Sequence, residues 1–149
     1  MRLKRFDYNS PNAYFLTICI KERQQILSKI ILGKTEKPEI VLTNVGSVIE
    51  RNVLSIDNTG YASVDHYVIM PDHIHLILRL NGIINETRNP TNQTIPHIVS
   101  TFKRLCTKEI GENIFQRSYY DHIIRDRDDY ETRMKYIYEN PVKRYYEGK

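Results

Sequence analysis

Residues 67–80 read YVIMPDHIHLILRL. The run is too apolar to lie on a surface, and it is broken once, by Pro71-Asp72. Proline has no backbone N–H to give a ladder, and Asp favours bends. The pattern therefore predicts two strands, 61–70 and 73–80, that pair as antiparallel neighbours across a tight bend. Within the second strand stand two histidines, His73 and His75. Side chains two apart on a strand share a face, about 6–7 Å apart at the backbone. The imidazoles converge on one point, while Ile74 and Leu76 face the other way.

The rest of the chain reads as alternating strands and helices. Residues 12–20 (NAYFLTICI) are aromatic and β-branched and predict a first strand; residues 30–43 predict two short strands around a Gly/Lys/Pro turn. From residue 44, Val45, Val48, Ile49, Asn52 and Val53 follow helical spacing, with Thr43 or Asn44 as cap. Residues 81–93 are rich in Asn, Thr and Pro and predict a loop. A helix is expected over 94–110, ended by Gly111, then a strand within 115–124. The final helix is expected over 126–139, capped by Asp126 and stopped by Pro141. With no repeat and no linker, residues 1–149 form one domain of α+β class: a central antiparallel sheet with helices mainly on one face.

Composition bounds the function. The chain has 149 residues, 40% hydrophobic and 27% charged, as expected for a globular protein. No apolar run nears the ~20 residues of a membrane span, and the N-terminus lacks the apolar core of a leader peptide. Cys19 and Cys106 are far apart, which fits reduced thiols and a cytoplasmic location. The net charge is +4 and permits a phosphate-bearing partner without demanding one.

A bare His-x-His is short enough to occur on the solvated face of an edge strand, so the last helix matters. At about 100° per residue, Tyr130, Met134 and Ile137 form one stripe that faces the core. Arg133, Tyr136 and Asn140 follow one another by single turns along a polar edge, and Tyr138 points to the far flank. If that edge lies over the histidine strand, Asn140 becomes a third metal ligand beside His73 and His75. Tyr136 becomes a nucleophile, with Arg133 to favour its phenolate. Two nitrogens and an amide oxygen with open positions suit Mg²⁺ or Mn²⁺, zinc being a further option.

These residues resemble a known family. PDHIHLIL resembles the His-hydrophobic-His (HUH) signature of single-strand DNA endonucleases. QRSYYDHIIRDRDDYETRMKYIYENPVKR resembles the C-terminal signature of the single-tyrosine transposases, especially the REP-associated tyrosine transposases of bacteria. The resemblance implies a ferredoxin-like or RRM-like sheet and metal-dependent cleavage of single-stranded DNA beside a hairpin. It implies Tyr136 as the nucleophile that forms a 5′-phosphotyrosine, and His73, His75 and Asn140 as metal ligands. Tyr8 and Tyr14, upstream of the histidines, lack an Asn one helical turn later, which favours the downstream Tyr136. One departure is Asp72, where the family often has Asn; it is expected to support a histidine or a water, or to cap the bend.

For DNA phosphates, the available cations are Arg2, Lys4 and Arg5 at the N-terminus and Lys103, Arg104 and Lys108 on the 94–110 helix. His122 is expected to be structural, bonded to backbone. Two other functions compete: a non-catalytic RRM-like nucleic-acid binder, and a metal-dependent phosphoester hydrolase that would use water in place of Tyr136. Monomer and homodimer, with the tyrosine helix serving a partner's histidines, both stay open.

Overall fold

The computed structural model describes residues 13–60, 62–80 and 91–147. Strand β1 (Ala13–Cys19) is followed by the hairpin of β2 (Ser28–Leu32) and β3 (Pro38–Leu42), then helix α1 (Asn44–Leu54). Next come β4 (Ala62–Ile69), β5 (His73–Leu80), helix α2 (Thr91–Ile110), β6 (Tyr120–Ile124) and helix α3 (Arg127–Glu147). The main sheet has the order β4-β5-β1-β6 and is antiparallel throughout. Pro71 and Asp72 form the bend between β4 and β5, as their chemistry requires.

Strand alternation divides the interior in two. Leu16 and Ile18 of β1 and Ile74, Leu76 and Leu78 of β5 pack with Ile49 and Val53 of α1 and Ile98, Val99 and Phe102 of α2. On the other face, Ala13, Phe15, Val68, Met70, Ile77 and Ile124 pack with Tyr130 and Ile137 of α3, flanked by Ile30 and Ile40 of the β2–β3 hairpin. The fold is thus α+β, with two helices on one face and α3 on the face that carries the histidines. Each large apolar side chain buried beneath α3 contributes roughly 1.5–3 kcal/mol to holding it there.

Local chemistry sets the helix starts. The Thr43 hydroxyl accepts the Gly46 N–H at 3.0 Å, capping α1. A Cβ at residue 46 would sit 2.0 Å from the Leu27 carbonyl oxygen, so only glycine fits. The Asp126 carboxylate accepts the Asp129 N–H at 2.9 Å and caps α3. Gly111, at φ 101°, ends α2 as its spacing predicts.

Two boundaries differ from expectation. Helix α2 begins at Thr91, inside the segment that reads as a loop, and carries Pro96 in its early turns. Helix α3 does not stop at Pro141 but runs through it to Glu147. Proline removes a single helical hydrogen bond, a loss of about 3 kcal/mol with its steric clash. Beyond it, Arg144 bonds to Asp72, so tertiary contact holds the extra turns.

Candidate active site over the histidine strand

Strand β5 turns His73, His75 and Ile77 towards α3, and both imidazoles are buried. Their Nε2 atoms lie 3.1 Å apart. His73 Nδ1–H donates to Asp72 Oδ1 at 2.7 Å, which leaves the Nε2 lone pair facing His75. His75 Nδ1 meets the Thr17 hydroxyl at 2.9 Å. Thr17 is the cross-strand partner of His75 on β1, so sheet register supplies this contact. A hydroxyl both donates and accepts, so Thr17 can support His75 with its Nε2 either bare or protonated.

Asp72 organises the rim. Besides His73 it accepts from Arg23 Nε at 3.1 Å and from Arg144 Nη1 at 3.2 Å. Burial would raise its pKa, but the bonds from Arg144, His73 and Arg23 outweigh that and hold it at about 2. Arg23 arrives on two successive left-handed residues, Glu22 at φ 55° and Arg23 at φ 52°. Such backbone costs about 1–2 kcal/mol per residue, strain that persists here beside the site. Burial, the neighbouring His73 and Arg23 push the His75 pKa down to about 3. Burial likewise lowers His73, against the pull of Asp72. Both rings are therefore neutral near pH 7, the form that binds metals.

Helix α3 lies over this pair from the same chain. The Tyr136 ring packs edge-on against His75, centroids 5.2 Å apart, and against Phe15 at 6.1 Å. Tyr136 stays accessible, 46% of the residue being exposed. Phe15 is a shared platform: His75 stacks on it at 5.2 Å and the Arg133 guanidinium lies 5.2 Å from its centroid. Arg133 also pairs with Asp129 at 3.4 Å, so its head is held by that carboxylate and by Phe15. Two turns beyond Tyr136, Arg144 reaches Asp72. Asn140 sits between them on the same helical edge, one turn from each.

The residues present fit a divalent cation. Two ligand atoms at right angles on bonds of about 2.1 Å are about 3.0 Å apart, close to the spacing of the two Nε2 atoms. The Asn140 Nδ2 is buried without a hydrogen-bond partner. An unpaired buried amide costs about 1–3 kcal/mol, and a half-turn of the group puts its oxygen in that place. Among the described residues no three His, Cys, Asp or Glu side chains form a metal cluster.

Other expected residues fall elsewhere. Arg2, Lys4, Arg5 and Tyr8 lie outside the described residues. Tyr14 is buried in the core on the opposite face. Lys103, Arg104 and Lys108 are on α2, also across the sheet from the histidines. Lys103 donates to the carbonyls of Gln116 and Arg117 at 2.9 and 3.3 Å; with Lys21, Arg104 and Arg117 it lines a basic groove. His122 is structural but bonds the Asp129 carboxylate at 2.8 Å, not backbone. Tyr138 does point to the flank, where its hydroxyl meets His66 Nδ1 at 2.9 Å on edge strand β4. Phe15, Thr17, Arg23 and Arg144 are the site residues that sequence reasoning missed. The β1–β5 register would have found Thr17.

Comparison with known proteins finds relatives in sequence and in fold. A Haemophilus influenzae protein named "Putative REP-associated tyrosine transposase" is 34% identical over 156 residues, spanning 95% of this chain and 77% of its own. The REP-associated tyrosine transposase of Escherichia coli K12 is 24% identical over 136 residues, spanning 91% and 70%. The solved structure of a REP-associated tyrosine transposase bound to a REP hairpin has the same fold, with a TM-score of 0.66 at 23% identity over 96% of this chain and 74% of that one. No family model matches the chain. Identity above 30% across most of both chains, together with the shared fold, places this chain in the family of REP-associated tyrosine transposases.

Proposed function

We propose that the protein cuts and rejoins single-stranded DNA beside a hairpin through a covalent bond to Tyr136, with a divalent metal, Mg²⁺ or Mn²⁺. The observation that carries this is the seat of the Tyr136 ring on His75 with the residue still half exposed. A relative of the same fold is bound to a REP hairpin, which supports the substrate class.

His73, His75 and Asn140 would hold the metal. When bound, it acts as a Lewis acid on a phosphate oxygen. Asp72 holds His73 with Nδ1 protonated and Nε2 free, and the Thr17 hydroxyl anchors the ring of His75 through its Nδ1. Phe15 fixes the plane of His75 and the edge of Tyr136, so nucleophile and ligands keep one geometry. In the reaction the Tyr136 oxygen loses its proton and bonds to phosphorus. The bond from phosphorus to the 3′ oxygen breaks, and that oxygen leaves as a hydroxyl. The 5′-phosphotyrosine retains the bond energy, so attack by a 3′-hydroxyl reseals the strand without a nucleotide cofactor. One chain supplies both the histidines and the tyrosine helix.

Covalent trapping tests this. Protein, Mn²⁺ and 3′-labelled single-stranded hairpin DNA from beside the gene are mixed and run on a denaturing gel. Label should migrate with the protein and be lost in Tyr136→Phe and with EDTA. Cleavage that survives Tyr136→Phe would mean a water nucleophile and a hydrolase. Binding without cleavage by any flanking sequence would mean a binding module.

A further inference from the structure

Beside the histidine site, β2 and the end of α3 line an open pocket of about 380 Å³. That is within the ~300–1,000 Å³ range of small-ligand sites. Ile30 and Pro71 give it apolar walls, the half-buried Tyr145 adds an aromatic ring, and Gln25, Lys29 and Arg144 bring polar groups. No carboxylate is among its described lining residues. We propose that this pocket receives one unpaired nucleobase of the strand that Tyr136 cuts. The proposal rests on the reaction argued above and adds where that strand is read.

Three features point to a base. An aromatic ring beside aliphatic walls offers the sequence-tolerant stacking that unpaired bases use. The Gln25 amide has both a donor and an acceptor for a base edge. Lys29 and Arg144 complement the phosphates on either side. The pocket is also joined to the chemistry. Pro71 precedes Asp72, and Arg144 lines the pocket while bonding Asp72 Oδ1 at 3.2 Å. At 1.5 Å per residue, Tyr145 lies about 13 Å along α3 from Tyr136. Stacked nucleotides advance about 3.4 Å each, so the base that enters stands within about four nucleotides of the scissile phosphate.

The experiment uses the full-length protein and a set of hairpin oligonucleotides, each with one abasic site within four nucleotides of the cut. Adduct formation and binding anisotropy are both read, in wild type, Tyr145→Leu, Tyr145→Phe and Gln25→Ala. In wild type, one abasic position should weaken binding and adduct formation by about five- to a hundredfold. Tyr145→Leu should show the same loss on the intact oligonucleotide and little further loss on that abasic one, while Tyr145→Phe behaves as wild type. Gln25→Ala, which lies outside α3, should weaken the preference for the natural base at the same position. If abasic sensitivity is undiminished in Tyr145→Leu and Gln25→Ala, or is absent in wild type, the pocket does not read a base. If no protein forms an adduct, the covalent reaction fails, and the anisotropy series still decides the pocket by the same comparison.

Discussion

Arg144 Nη1 lies 3.2 Å from Asp72 Oδ1, joining the far end of α3 to the bend that starts the histidine strand. At its other end α3 is tied by the Tyr130 hydroxyl, 2.5 Å from Asp65 Oδ2. Tyr136 and Asn140 lie between these two anchors. Arg144→Ala should lower stability by about 1–3 kcal/mol, the loss of a charge-assisted bond to a buried carboxylate. It should also slow adduct formation more than it weakens DNA binding by a separate hairpin fragment. Urea denaturation and single-turnover trapping check the two parts.

Asp72→Asn keeps an acceptor for His73 but removes the charge that Arg23 and Arg144 share. Asp72→Ala removes the acceptor too. Metal affinity, measured by Mn²⁺ titration calorimetry, should fall about 10- to 100-fold in Asp72→Ala and clearly less in Asp72→Asn. Equal losses in both would mean that charge, not orientation of His73, is what Asp72 provides.

Asn140→Leu separates function from stability. It replaces a buried amide whose nitrogen has no partner. The metal-free protein should be no less stable, gaining up to about 1 kcal/mol in chemical denaturation. Mn²⁺ affinity should drop in the same variant. A marked loss of stability would show that the amide has a structural role.

Metal-free protein should weaken in mild acid. Folding holds His75 neutral, with its pKa near 3, while the unfolded residue titrates near 6.5. Between these values the unfolded chain binds more protons. The stabilisation is therefore complete above about pH 6.5 and is lost as pH falls towards 3. The slope should reach about 1.4 kcal/mol per pH unit for this residue. Denaturation in EDTA at pH 7, 6 and 5 measures it, and His75→Gln should flatten the curve.

Phe15→Leu tests the platform. Phe15 is 2% exposed and touches His75, Tyr136 and Arg133. The swap leaves a small cavity and should cost roughly 1–3 kcal/mol of stability. Adduct formation should fall roughly tenfold through loss of position. An unchanged rate would show that Tyr136 is aimed by other contacts.

Much of this layout is legible in the sequence because two periods carry it. A period of two places His73 and His75 on one face and Ile74 and Leu76 on the other. A helical period sorts Tyr130, Met134 and Ile137 to the core and leaves Tyr136 and Asn140 along the edge. What was not legible depends on pairing and on context. Thr17 is useful only because β1 meets β5 in a particular register. Arg23 reaches Asp72 through two left-handed residues that no local propensity favours. Arg144 lies past Pro141, and the expected helix stop is overruled by a tertiary bond. Helix α2 hides its first turn in residues whose composition suits a loop.

Strand β1 is at the centre of the sheet, yet both of its neighbours follow it at a distance. Leu16 pairs with Leu76 on one side and with Asp121 on the other, about 60 and 105 residues later. At about 5–20 residues per second of synthesis, the second edge of β1 waits roughly 5–20 s for its partner. For that interval an aromatic, β-branched strand is an open template for other chains. Yield in the cell should therefore respond to translation speed and chaperone supply more than the finished protein's stability would suggest.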